Sequence, residues 1–148
     1  MVLSWGVMRC LALDVGDKRI GVAISDVKGW LARPLEVIPR RPGPASFLRI
    51  AQIVAENDIE LIVVGLPLLP DGSEGKQVLS TRAYVAGLAA YVNVPIVFWD
   101  ERGSTRQADQ FLLEGGSKRR RRRAVSDMVA AAVILQEYLD AKSGGRFC

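Results

Sequence analysis

Apolar residues run along this chain in short clusters whose spacing changes from one segment to the next. Residues 8–15 and 19–26 are two apolar-rich stretches on either side of a tight Gly16-Asp17-Lys18 turn, which predicts a β-hairpin. "PLEVIPR", 34–40, is bounded by prolines and predicts a third strand. In "ASFLRIAQIVAEND" the positions Phe47, Ile50, Ala51 and Val54 recur at helical spacing and give way to polar residues. "ELIVVG", 60–65, is an apolar, β-branched run, the mark of a strand buried on both faces. After the loop "LPLLPDGSEG", the spacing predicts a helix from about 75 to 92, with Val78, Val85, Leu88 and Val92 on one stripe. "VPIVFWD", 94–100, predicts another buried strand, and "STRQADQFLLE" a short helix from Ser104 closed by Gly115-Gly116. A final helix is expected from about 125 to 141, with Ser126 as its N-cap.

The resulting order, βββαβαβαα, belongs to the α/β class. It predicts a mixed five-stranded sheet, three antiparallel strands followed by parallel crossovers, flanked by helices. With 148 residues and no internal repeat or linker, the chain has room for one domain with a real core. That domain is expected over 8–142, after a disordered extension over 1–7 and before a flexible tail over 143–148. Met8, directly before the first strand, is an alternative start.

Composition narrows the chemistry. The chain is 49% hydrophobic and 24% charged, as globular domains are. No stretch is apolar over a full membrane span, and the first residues lack the basic start and cleavage site of a signal peptide. A cytoplasmic protein without a membrane partner is therefore expected. Cys10 and Cys148, far apart, suggest neither a disulfide framework nor a zinc site. The chain contains no histidine, which removes Ser-His-Asp and Cys-His nucleophile systems and the usual zinc ligands. Carboxylates, hydroxyls, lysine or a hard metal ion must carry any chemistry.

Charge is concentrated rather than spread. The run Lys118, Arg119, Arg120, Arg121, Arg122, Arg123 holds 6 of the 20 basic residues; without it, 14 would face 16 acidic ones. A local basic patch of this kind, expected in a loop, suits a polyanion such as nucleic acid.

A glycine-rich phosphate loop is excluded after the 60–65 strand. A Walker A motif ending in Gly75-Lys76 would need glycine at 70, which is proline, and Ser or Thr at 77, which is glutamine. Three acidic positions form a better pattern. Asp14 interrupts the first strand, Asp100-Glu101 closes the last, and Asp127 is expected in the first turn of the final helix. Each has an ordinary reading taken alone: a turn aspartate paired with Lys18 or Arg19, a strand-end turn with Glu101 on Arg102, a helix cap. Together they stand where the ligands of such sheets gather. The small Ala130 and Ala131 would let the last helix approach the sheet and carry Asp127 toward Asp14. A helix N-terminus would favour its ionised form. Three carboxylates without histidine suit Mg²⁺ or Mn²⁺, the cations of metal-assisted phosphodiester hydrolysis.

"LALDVGDKRIGVAISD", "VVGLPLLPDGSEG", "DER" at 100–102 and "DMVAAAVILQEYL" at 127–139 resemble the YqgF/RuvX family, in order and spacing, from Met8 to Leu139. The resemblance implies an RNase H-like fold related to RuvC junction resolvases. It implies a Mg²⁺- or Mn²⁺-dependent endonuclease acting on structured nucleic acid, either maturing the 5′ end of 16S ribosomal RNA or resolving four-way DNA junctions. Carried over by position, Asp14, Asp127 and an acid of the "DER" motif are the catalytic and metal-binding residues. Glu101 is preferred over Asp100 because its side chain reaches further from a strand end. Lys18 and Arg19 in the turn, Arg102, and the basic run 118–123 are the expected phosphate contacts. Junction cutting would further require a homodimer.

Two departures stand out. Gly103-Ser104-Thr105 replaces the family's Leu-Thr-Thr after "DER". The "VVGLP" strand ends without the carboxylate that RuvC-like enzymes carry there. A non-cutting RNA-binding protein of the same fold is the rival reading. A sugar-kinase-like ATPase, suggested by "LDVGDKRIG", would need two such domains.

Overall fold

A computed structural model describes residues 8–101 and 119–147, with side chains of the last helix described over 126–142. Five strands form one sheet: β1 (Cys10–Val15), β2 (Arg19–Ser25), β3 (Ala32–Pro39), β4 (Leu61–Leu66) and β5 (Ile96–Asp100). Helix α1 (Ala45–Glu56) leads into β4, α2 (Lys76–Leu88) into β5, and α3 (Arg119–Phe147) follows. The spatial order is β3-β2-β1-β4-β5, with β1 central. β1–β2 and β2–β3 pair antiparallel; β1–β4 and β4–β5 pair parallel. This is the mixed sheet that the pattern predicts. The extension 1–7 and the helix expected from Ser104 lie outside the described residues.

β3 contains Pro34 within the strand and ends on Pro39. It is an edge strand, where a missing N–H costs no ladder bond. The pairing with β2 shifts between Val22 and Ala23, a bulge that leaves Leu35 as the extra residue.

Strand alternation divides the sheet into two faces. Leu11, Leu13, Val15, Ile20, Val22, Ile24, Ile62 and Val64 pack against Ile50 and Ile53 of α1 and Tyr84, Val85 and Leu88 of α2. On the other face Cys10, Ala12, Ala23, Leu61 and Val63 meet Ala131, Ile134, Leu135 and Leu139 of α3. Ala130 and Ala131 are fully buried, so α3 packs through its small residues. Among the described residues no helix is long and apolar enough to cross a membrane.

The last helix departs from expectation at both ends: it continues to Phe147 rather than stopping near 141, and it starts earlier. It begins at Arg119, so the basic run from Arg119 to Arg123 is helical rather than loop. Arginine is a good helix former, and like-charge neighbours one turn apart cost only tenths of a kcal/mol, which a well-packed continuing helix tolerates. Ser126 is therefore a buried interior residue and no N-cap, and Asp127 lies well inside the helix.

Candidate active site

The central row of the α3 face runs across three strands. Asp14 on β1 pairs with Gly21 on β2. On the other side, Asp14 and Gly65 follow the register pair Leu13–Val64 by one residue on each strand. Asp14 thus stands between two glycines, with neighbouring strands about 4.8 Å away on each side. Neither glycine can be replaced without movement. A Cβ on Gly21 would collide with the Asp127 backbone carbonyl. A Cβ on Gly65 would come within 2.6 Å of Ile134 Cδ1 and 2.9 Å of the Glu101 carboxylate. The missing side chains are the space into which α3 and Glu101 fit.

Glu101 follows β5 directly, and its N–H donates to Leu66 O at 3.1 Å, which ties it to the end of β4. Its side chain is only 4% exposed. Asp100 pairs with Leu66, out of phase with the Gly65–Trp99 pair, and it is exposed. The structure therefore places the carboxylate of Glu101 on Asp14's side of the sheet and does not bring Asp100 there. Alternation, rather than side-chain length, separates the two acids.

Asp127 reaches the same row from above. It lies too far inside α3 for the helix N-terminus to favour its charge, an effect confined to the first turn. Its counter-charge comes from the sheet instead: Arg19 Nε donates to Asp127 Oδ2 at 2.7 Å. Arg19 is two residues before Gly21 on β2, hence on the same face. Lys18 and Asp17 are exposed at the turn. Arg102 and Lys118 lie outside the described residues, as do the side chains of Arg119, Arg120, Arg121, Arg122 and Arg123. The backbone of that run precedes Asp127 by four to eight residues, roughly 6–12 Å along the helix axis.

α2 and β3 hold the hairpin turn that carries these groups. Gln77 Nε2 donates to Val15 O at 3.0 Å. Arg40 donates to Gly16 O and to Ser80 Oγ, both at 2.9 Å, and its guanidinium stacks 5.0 Å from the Tyr84 ring centre. Gln77, whose identity excludes a Walker motif, thus has a structural task at the end of β1. Sequence reasoning found none of Gly21, Gly65, Gln77 or Arg40, because each acts on groups that only the fold brings near.

As placed, no group of three His, Cys, Asp or Glu side chains among the described residues is gathered tightly enough to hold a metal ion. The donor chemistry nonetheless fits a hard divalent cation: three carboxylates, oxygen only, at one end of one face.

Comparison with known proteins agrees with this architecture. Residues 8–141 match the RuvX family, described as Holliday junction resolvase. The chain belongs to the RuvX family. A Chloroflexus aggregans relative named "Putative pre-16S rRNA nuclease" is 45% identical over 132 residues, covering 89% of this chain and 93% of its own. A relative of the same name from Pelotomaculum thermopropionicum is 44% identical over 140 residues, covering 94% of this chain and 91% of its own. Among solved structures, RuvC of T. thermophilus in complex with Holliday junction substrate superposes with a TM-score of 0.55 at 20% identity. The match covers 93% of this chain and 97% of that one. The fowlpox virus resolvase bound to Holliday junction DNA gives 0.53 at 13%, covering 90% and 98%. At those identities the likeness is one of fold, and this RuvX-family chain has the RNase H-like fold of the resolvases.

Proposed function

We propose that this chain is a nuclease that hydrolyses phosphodiester bonds in structured nucleic acid, with the 5′ end of precursor 16S ribosomal RNA as its substrate. The observation that carries the reading is the row Gly21–Asp14–Gly65, whose two bare positions admit Asp127 and Glu101 beside Asp14. Asp14, Glu101 and Asp127 would hold Mg²⁺ or Mn²⁺. A divalent cation there supplies water activation and stabilises the leaving oxygen. Asp14 is rigid because its strand is paired on both sides, and Glu101 is shielded from water. Lys18, exposed at the turn, contacts substrate phosphate. Arg119 to Arg123 lie in α3 ahead of Asp127, and the basic run 118–123 supplies affinity that ignores sequence. If all six of its charges meet phosphates, log K falls with log salt at a slope of about −5.

The names of the curated relatives favour the RNA. The resolvase fold favours a second reading, in which two copies of the chain cut a four-way DNA junction. The test is cleavage of precursor 16S RNA and of a synthetic four-way junction by the purified protein, after chelation and after reloading with Mn²⁺. Metal-dependent cutting of the RNA at its mature 5′ end is expected. Cutting of the junction alone moves the substrate to DNA, and binding without any cutting contradicts the nuclease reading.

A further inference from the structure

The Arg19–Asp127 pair joins β2 to α3 across 108 residues of sequence and sits on one of the three proposed metal ligands. Both side chains are partly open to solvent, at 33% and 21% exposure, so ions and water reach the contact. Gly21, the bare position beside Asp14, lets α3 descend; Arg19, the next position on the same face toward the turn, then meets Asp127 Oδ2 at 2.7 Å. An arginine cannot relieve such a contact by losing its proton. A second cation approaching the same carboxylate is repelled by the first, and a pair this exposed holds its partner only weakly.

We propose that Arg19 is the displaceable counter-ion of the site: its guanidinium holds Asp127 while no metal is bound and is exchanged for the divalent cation on loading. The inference rests on the assignment of Asp127 as a metal ligand. It makes Arg19 a positioning residue with two stations. In one it neutralises Asp127 and keeps α3 docked on β2. In the other, freed at the rim of the carboxylates, it is available to a substrate phosphate, to which a guanidinium offers two parallel N–H donors. Asp127 thus faces a cation in both states.

The test is Mn²⁺ binding by calorimetry to the full chain, free of nucleic acid, in wild type, Arg19→Gln, Arg19→Lys and Asp127→Asn, with folding checked by circular dichroism. Arg19→Gln should bind Mn²⁺ about two- to five-fold tighter than wild type, the range set by the worth of an exposed ion pair. Arg19→Lys, which keeps the charge, should stay within about twofold of wild type, and Asp127→Asn should bind more weakly. Unchanged or weaker binding by Arg19→Gln, with Asp127→Asn still weakened, overturns the exchange and leaves Arg19 orienting its ligand from outside. Wild-type affinity in Asp127→Asn instead removes Asp127 from the metal site, a failure of the underlying reading. The exchange is also read in the wild-type protein by NMR. The Arg19 Nε–H resonance, identified by its loss in Arg19→Lys, should lose its protection from solvent exchange when Mg²⁺ is added. Persistent protection at saturating Mg²⁺ contradicts the proposal even if Arg19→Gln fails to fold.

Discussion

On the side of the sheet that faces α1 and α2, the two central antiparallel strands present Leu11, Leu13, Val15, Ile20, Val22 and Ile24. On the side that faces α3, the same two strands present Cys10, Ala12, Asp14, Arg19, Gly21 and Ala23. One surface is built from large branched side chains and the other from small ones, a carboxylate and a cation. The difference follows from what each must exclude. The first face separates helices from the sheet by a full layer of hydrocarbon, which is where burial stabilises most. The second lets one helix come close enough for its backbone to touch a strand, which brings a charged helix residue within reach of strand residues. The site sits where the packing layer is thinnest.

Breaking either face should therefore give a different signature. Leu13→Ala removes a fully buried side chain from the hydrocarbon layer and should cost about 3–4 kcal/mol in chemical denaturation. Cleavage per folded molecule should remain close to wild type. Gly21→Ala should cost less, about 2–3 kcal/mol, because α3 can shift to relieve the collision. That shift carries Asp127 away, so cleavage by the folded fraction should drop by more than about tenfold. A Gly21→Ala protein as active per folded molecule as Leu13→Ala would erase the distinction between the faces.

Gln77→Ala sharpens the comparison from the packing side. Losing the hydrogen bond to Val15 O should cost about 1 kcal/mol. Cleavage should fall several-fold with little change in substrate affinity, since Val15 directly follows Asp14. The smallest effect belongs far from either layer, at the Glu36–Arg49 pair on β3 and α1. The hydrogen bond from Arg49 holds the Glu36 carboxyl below its ordinary 4.5, against a weaker opposing effect of burial. Its contribution is complete above pH 4.5 and is lost as pH falls through the lowered value. Glu36→Gln should thus lower stability at pH 7 by no more than about 0.5 kcal/mol, and by progressively less as pH falls below 4.5. Cleavage at neutral pH should be untouched.

The element order and the two-faced packing were legible in the sequence because they depend on local periodicity. β1, β2, β4 and β5 lie within two residues of their expected bounds at each end. The start of α3 was not legible, since five arginines in a row read as solvated charge whether helical or not. Asp14 could be picked out because a carboxylate interrupts an apolar strand. What surrounds it could not: a glycine in a strand gives no sign of whether it marks a bulge, a turn or the approach of another backbone. Arg19 shows the same limit. Its place beside Lys18 in the turn suggests a phosphate contact, whereas the fold sets it against Asp127, a partner 108 positions away.

The most direct test of the account is Asp14→Asn, assayed for cleavage and for binding on the same substrate in the presence of Mn²⁺. The side chain keeps its shape and its place between Gly21 and Gly65 while losing the charge assigned to the cation. Cleavage should fall by more than about 100-fold, and the dissociation constant for substrate should change by less than about threefold. Equal losses of binding and cleavage, or cleavage that survives, would contradict the assignment of Asp14 as the central ligand of the site.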